Sequence, residues 1–164
     1  VKIRKAKMIE AIDKILADHQ QRTQAWEKAV EQWKRERLTA WKRDELPRFK
    51  KLQTLIAAKA RGKEPITHDE LLAIFPNPDR YYSDQPRIKG FHPDAEPQAG
   101  SVKLANGTTV HKPTGVNIHQ MSSMRKLLEA IEDDCVTDNQ LSRLGVKDVT
   151  PIFRHAAELG GLVG

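Results

Sequence analysis

Residues 3–46 read IRKAKMIEAIDKILADHQQRTQAWEKAVEQWKRERLTAWKRDEL, without a proline or a glycine. Apolar residues recur in this stretch as Met8, Ile9, Ile12, Ile15, Leu16, Trp26, Val30 and Trp33, with His19 and Thr23 filling the same stripe. Steps of three and four are the helical period, so a long amphipathic helix is expected. Ile12, His19, Trp26, Trp33 and Ala40 stand seven apart on one face, a spacing open to coiled-coil pairing. Charge pairs at i, i+4, such as Glu10–Lys14 and Glu31–Arg35, support the exposed face. Pro47 should end or kink the helix. A second helical stretch over residues 48–61 follows, with Phe49, Leu52, Leu55 and Ile56 as its apolar face and Gly62 as its stop.

Length constrains this helix. Forty-four residues at the helical rise would span about 65 Å. A compact domain of 164 residues has a diameter of about 40 Å. The helix is therefore expected to break in the polar stretch Asp18–Thr23, or to project and bury its stripe against a partner, since helices gain little from propensity alone. Met8, Ile12, Ile15, Trp26, Val30 and Trp33 are the candidate self-association residues.

Downstream, Thr67–Glu70 reads as a capping box opening a helix from Asp69 to Phe75. Pro76, Pro78, Pro86, Pro93 and Pro97 then make residues 76–100 an extended arm, expected to be held by the body of the protein or by a neighbour. Val102–Val110 carries Asn106-Gly107 between two apolar runs, a hairpin signal. Ser122 or Ser123 is expected to cap a helix to Asp133, with Met124, Leu127, Leu128 and Ile131 on one face. Thr137–Gln140 is a second capping box, opening a helix to Leu144 closed by Gly145. Thr150-Pro151 opens a last helix to Leu159. The expected architecture is mainly α: a long N-terminal amphipathic helix, a Pro-rich arm, one β-hairpin and a C-terminal three-helix unit. The expected regions are 1–62, 63–100 and 101–164.

Charge is uneven along the chain. Residues 1–62 hold 17 Lys+Arg against 8 Asp+Glu, a net of +9; residues 63–164 hold 11 against 14, a net of −3. Such a dipolar chain can bind an anionic polymer at one end, or dock on copies of itself. No apolar run approaches a membrane span, and the basic N-terminus leads into a charged helix with no secretory signal. Cys135 is the single cysteine, so it forms no internal disulfide and anchors no zinc site alone. A cytoplasmic or virion setting is expected, with no membrane partner.

Lys34, Arg35, Arg37, Lys42, Arg43, Arg48, Lys50 and Lys51 crowd one segment with Trp41 and Phe49. Cations at this density suit phosphates, and aromatics can stack on unpaired bases. Glu36, Asp44 and Glu45 dilute the segment. Gln140–Val146 with Thr150 and Arg154 resembles the helix–Gly–turn part of the helix-turn-helix DNA-binding family. It departs from that pattern at Pro151, and residues 120–164 carry 5 Lys+Arg against 7 Asp+Glu, the wrong sign for a groove reader. His111, Asn117 and His119 follow the order of an HNH nuclease at the wrong spacing, and His92, Cys135 and His155 are too dispersed for zinc. The acidic cluster Glu129, Glu132, Asp133, Asp134 and Asp138 lacks an apolar setting that would shift a pKa. There is no Gly-rich phosphate loop, no HExxH, no GxSxG and no CxxC. No metal or cofactor is expected, nor an enzyme with a small-molecule substrate.

The opening Val1–Ile12 and the Trp-rich basic helix after it resemble small proteins of actinobacterial phages, in high charge and abundant Ala and Arg. A leading Val is also what an alternative start codon gives when read literally. The resemblance covers the N-terminal helical region and implies a virion or assembly component, or an early protein that engages a host factor or nucleic acid. The expectation is a non-enzymatic assembly or interaction protein that self-associates as a homo-oligomer through the N-terminal helix. The alternatives are nucleic-acid binding through residues 34–51, to DNA or RNA, and inhibition of a host factor.

Overall fold

The computed structural model describes residues 1–145 and 150–164. In chain order its elements are β1 (Lys2–Arg4), α1 (Lys5–Asp44), α2 (Leu46–Gly62), α3 (His68–Ile74), β2 (Ser101–Lys103), β3 (Thr109–His111), α4 (Ile118–Ala130), β4 (Cys135–Thr137), α5 (Asp138–Arg143) and α6 (Thr150–Glu158). The chain is mainly helical, as the periodicity predicts, and α1 runs through Asp18–Thr23 without a break. Thr23 keeps its place there by donating its hydroxyl to the His19 carbonyl at 2.9 Å.

Two compact units form: Val1–Glu27 with His111–Gly164, and Lys28–Val110. They do not coincide with the regions 1–62, 63–100 and 101–164 drawn from charge and proline content. Composition marks where surface chemistry changes, whereas packing decides which segments belong together. Here α1 belongs to the first unit up to Glu27 and to the second from Lys28.

The first unit is built on a strand that the sequence pattern does not announce. Residues 2–4 are not helix; β1 pairs antiparallel with β4, setting Ile3 opposite Val136. On its other side, Arg4 N–H donates to the Gly161 carbonyl at 2.9 Å, and Val163 N–H donates to the Lys2 carbonyl at 3.1 Å. The backbone of β1 is thus paired on both edges. Ile3, Met8, Ala11 and Ile12 form one core with Met124, Leu128, Val136, Leu141, Ile152 and Ala156. Ile9, Ile15 and Leu16 pack against it. Polar ties close the rim. Lys5 donates its ammonium to the Ile131 carbonyl at 2.6 Å, at the end of α4, where a cation is favoured by the helix dipole. Arg125 on α4 pairs with Asp13 on α1 at 2.7 Å and with Glu129.

This packing corrects one expectation. Met8 and Ile12 are fully buried and Ile15 is half-buried in the chain's own core. The C-terminal segment covers the part of the stripe that the helix length alone would give to a second copy. The cap of α4 also moves: Asn117 accepts from Gln120 N–H at 3.0 Å, and Ser122 and Ser123 lie inside the helix. The capping box at Thr137 with Gln140 forms as its sequence predicts.

In the second unit, α1 meets α2 at Glu45, with Pro47 in the first turn of α2. Proline is tolerated there because the first-turn N–H groups have no intrahelical acceptor. The stop of α2 is shifted by one residue: Gly62 is its last residue and Lys63 takes the left-handed conformation, φ 53°. The Thr67–Glu70 capping box forms. Lys59 on α2 joins Glu70 on α3 at 2.8 Å. The hairpin β2–β3 forms with Gly107 N–H donating to the Leu104 carbonyl at 2.9 Å and Leu104 N–H to the Thr108 carbonyl at 2.8 Å. Gly107 has φ 87°, whereas Asn106 does not have a positive φ. A two-residue type I′ turn needs positive φ at both positions, so this is a longer loop closed by a glycine bulge.

Two stability outcomes follow. A Cβ at Gly161 would lie 2.6 Å from the Ala156 carbonyl oxygen and 2.9 Å from Lys7 Cβ. Gly161→Ala should cost about 1–3 kcal/mol by overpacking, read as a lowered urea midpoint, while Gly164→Ala, with open space around it, should change nothing. Met8→Ala should cost about 2–5 kcal/mol. Because Met8 is buried within the chain, that cost should be independent of protein concentration. A melting temperature that falls on dilution would place Met8 in an intermolecular interface instead.

Candidate nucleic-acid interface

The basic segment lies in the second unit, on the end of α1 and the start of α2. Residues 28–110 carry 16 Lys+Arg against 11 Asp+Glu, a net of +5; the other unit carries 12 against 11, a net of +1. The excess charge of the chain therefore resides with this unit.

The aromatics of the segment are engaged in packing. Trp41 lies 5.7 Å from Phe49 and 5.9 Å from Phe91, and Phe49 meets the buried Phe75 edge-on at 5.4 Å. The Arg37 guanidinium stacks over Trp33 at 4.6 Å and faces Phe91 at 5.9 Å. These contacts chain together as Trp33–Arg37–Phe91–Trp41–Phe49–Phe75. Aromatic pairs at such separations, and a cation on an indole face, stabilise beyond the area they bury. Of the two base-stacking candidates by sequence, Trp41 instead meets the Pro-rich arm at Phe91, and Phe49 packs between Trp41 and Phe75.

That arm is not left to a neighbour. Trp41 donates its indole N–H to the Lys89 carbonyl at 2.9 Å. Arg87 N–H donates to the Phe75 carbonyl at 3.0 Å, Lys34 pairs with Glu96 at 3.6 Å, and His68 meets the Asp84 carbonyl. Residues 76–100 have no helix or strand, as their prolines predict, but the same chain orders them.

Apart from Arg37, which is half-buried over Trp33, the cations divide into two groups. Lys34, Arg43 and Arg48 are paired, with Glu96, Asp44 and Glu45 respectively. The Arg43–Asp44 contact is two-pronged, at 2.7 and 2.9 Å. It holds the Asp44 carboxyl below the ordinary carboxylate range, chiefly through the Arg43 hydrogen bond. Arg43 thus carries its own counter-charge. Glu45 is the one acidic residue of the segment that is buried, with Arg48 at 3.4 Å. Arg35, Lys42, Lys50 and Lys51 are exposed and have no acidic partner among the described residues.

Topology adds what spacing along the helix could not. The hairpin places Lys103, Leu104 and Ala105 beside α1, where they line a groove of about 630 Å³ with Trp33, Arg35, Arg37 and Ala40. Glu36, which dilutes the charge in sequence, is the anchor: one carboxylate oxygen accepts from Ala105 N–H at 2.8 Å and the other from the Gln32 amide at 2.9 Å. Lys103 is not legible as a site residue from sequence, where its only local signal is its place on a strand of the hairpin.

The remaining sequence candidates do not converge. Trp26, Val30 and Trp33 are half-buried on α1. Among the described residues no group of three or more His, Cys, Asp or Glu is placed to hold a metal ion. Asp133, Asp134 and Cys135 flank a pocket with Lys2, while Glu129 is paired with Arg125 and Asp138 with the N-terminal amine at 3.7 Å. The helix-turn-helix resemblance depends on a turn whose residues 146–149, Val146 included, lie outside the described residues. Among the described residues no helix is long and apolar enough to cross a membrane. No protein-family model, curated protein or solved structure matches the chain.

Removing the Trp41 side chain should free the arm. In Trp41→Ala, tryptic cleavage after Arg87 and Lys89 should accelerate several-fold under native conditions, because local opening becomes easier. Ile56→Ala, at a half-exposed position on α2, should leave the cleavage rate alone. Equal rates in both variants would mean the aromatic ladder does not hold the arm.

Proposed function

We propose that the chain is a non-enzymatic protein that binds nucleic acid through phosphate contacts from the second unit. The observation that carries this reading is the set Arg35, Lys42, Lys50 and Lys51: four exposed cations within a short span of two consecutive helices, with no acidic partner among the described residues. A lysine or arginine already paired gains little from a phosphate, since it must first give up its carboxylate. An unpaired one releases the counterions condensed on the polymer at no such cost. The net of +5 on the same unit adds long-range attraction.

The reading differs from the sequence expectation in which cations matter. Arg43 and Arg48 sit in the same segment but are neutralised by Asp44 and Glu45. Self-association through α1 has less to rest on, since Met8 and Ile12 are covered within the chain. Trp26, Val30 and Trp33 remain on the helix for it. An accessory role for a phage nucleoprotein particle fits the phosphate-binding reading and the N-terminal resemblance alike.

The test is binding to a labelled mixed-sequence oligonucleotide, followed by fluorescence anisotropy across a salt series. The quadruple variant Arg35→Gln, Lys42→Gln, Lys50→Gln and Lys51→Gln should weaken binding at least about tenfold. It should flatten the dependence of log K on log salt by about 0.9 for each duplex phosphate that the variant no longer neutralises. Arg43→Gln with Arg48→Gln should do much less. Affinity indifferent to salt, or a paired-cation variant weakened as much as the quadruple one, would sink the proposal.

A further inference from the structure

We infer that the groove between α1 and the hairpin in the second unit holds a single-stranded stretch of nucleic acid, with an unstacked base on its apolar lining and phosphates on its cations. This deepens the phosphate-binding reading and rests on it. Its lining combines Trp33, Ala40, Leu104 and Ala105 with the cations Arg35, Arg37, Arg43 and Lys103. Arg43 is offset by Asp44, but Arg35, Arg37 and Lys103 have no acidic partner among the described residues. The single acid in the lining, Glu36, has both oxygens occupied by Gln32 and Ala105. Both donors are neutral, so the groove favours an anion only because its cations outnumber that one carboxylate.

Arg37 forms part of the groove wall. Its guanidinium is sandwiched toward Trp33 and Phe91, and one terminal nitrogen is buried with no acceptor.

The mixture of apolar and cationic lining selects the occupant. A duplex presents phosphates outward and hides the faces of its bases, so it can use the cations but not the apolar lining. A single strand presents both, and base faces stack on aromatic and guanidinium planes without regard to sequence.

The experiment compares wild-type protein and Lys103→Glu against an oligothymidine, a duplex of equal length, and polyglutamate as competitor. Lys103 is exposed, so its reversal should leave the fold intact, checked by circular dichroism. The single strand should bind about tenfold tighter than the duplex, and Lys103→Glu, which reverses a charge that both polymers can meet, should weaken both several-fold. Oligothymidine should also quench tryptophan fluorescence in wild-type protein, and much less in Trp33→Phe, which keeps a ring in place. Equal binding of strand and duplex with no effect of Lys103→Glu would overturn the groove assignment and leave phosphate binding standing. Binding of neither polymer would overturn both. Displacement of the strand by polyglutamate at equal charge would make the occupant an acidic polypeptide and overturn the inference.

Discussion

A helix of forty residues carries one apolar stripe along its whole length, and what covers that stripe decides everything else about the molecule. Propensity alone stabilises such a helix only weakly. In the first unit the cover comes from the far end of the chain: Met124, Leu128, Leu141, Ile152 and Ala156 enclose Met8, Ala11 and Ile12. In the second, the stripe continues as Trp33, Arg37 and Trp41, and the proline-rich segment lies against it through Phe91 and Lys89. One helix thus nucleates packing in both units, with partners drawn from different parts of the sequence.

The same arrangement sorts the charges. Wherever α1 and α2 turn a cation toward a neighbouring carboxylate, an ion pair forms, as at Arg43–Asp44 and Arg48–Glu45. The exposed Arg43–Asp44 pair contributes little stability and Arg48 answers the buried Glu45 carboxylate, yet both pairs remove cations from the pool available to a polyanion. What remains is a smaller set, Arg35, Lys42, Lys50 and Lys51, joined by Lys103 from the hairpin. The binding surface proposed above is read from what packing left unpaired rather than from the density of Lys and Arg.

Much of the fold is legible in the sequence because it is written in local chemistry. The helical period of residues 3–46, the two capping boxes at Thr67 and Thr137, and Gly107 in the hairpin loop each act within a few residues. What cannot be read is non-local. The pairing of β1 with β4 joins residues more than a hundred positions apart, and each strand has three residues with a single buried side chain, too few to show a period. Two local signals also mislead. Ser122 and Ser123 resemble caps, but Asn117 makes the bond; Gly62 resembles a stop, but Lys63 takes the left-handed turn. For the candidate site, the basic segment is visible in sequence. The neutralisation of Arg43 and Arg48 in ion pairs, the internal use of Trp41 and Phe49, and the arrival of Lys103 depend on packing.

Lysine footprinting tests the proposed phosphate-binding surface most directly. Brief acetylation of the protein with and without saturating single-stranded oligonucleotide, followed by peptide mass spectrometry, reads each ammonium separately. Lys42, Lys50, Lys51 and Lys103 should be protected, while the exposed Lys14 and Lys126 of the first unit should react at the same rate in both samples. Protection confined to Lys14 and Lys126, or spread evenly over all exposed lysines, would contradict a phosphate-binding surface on the second unit.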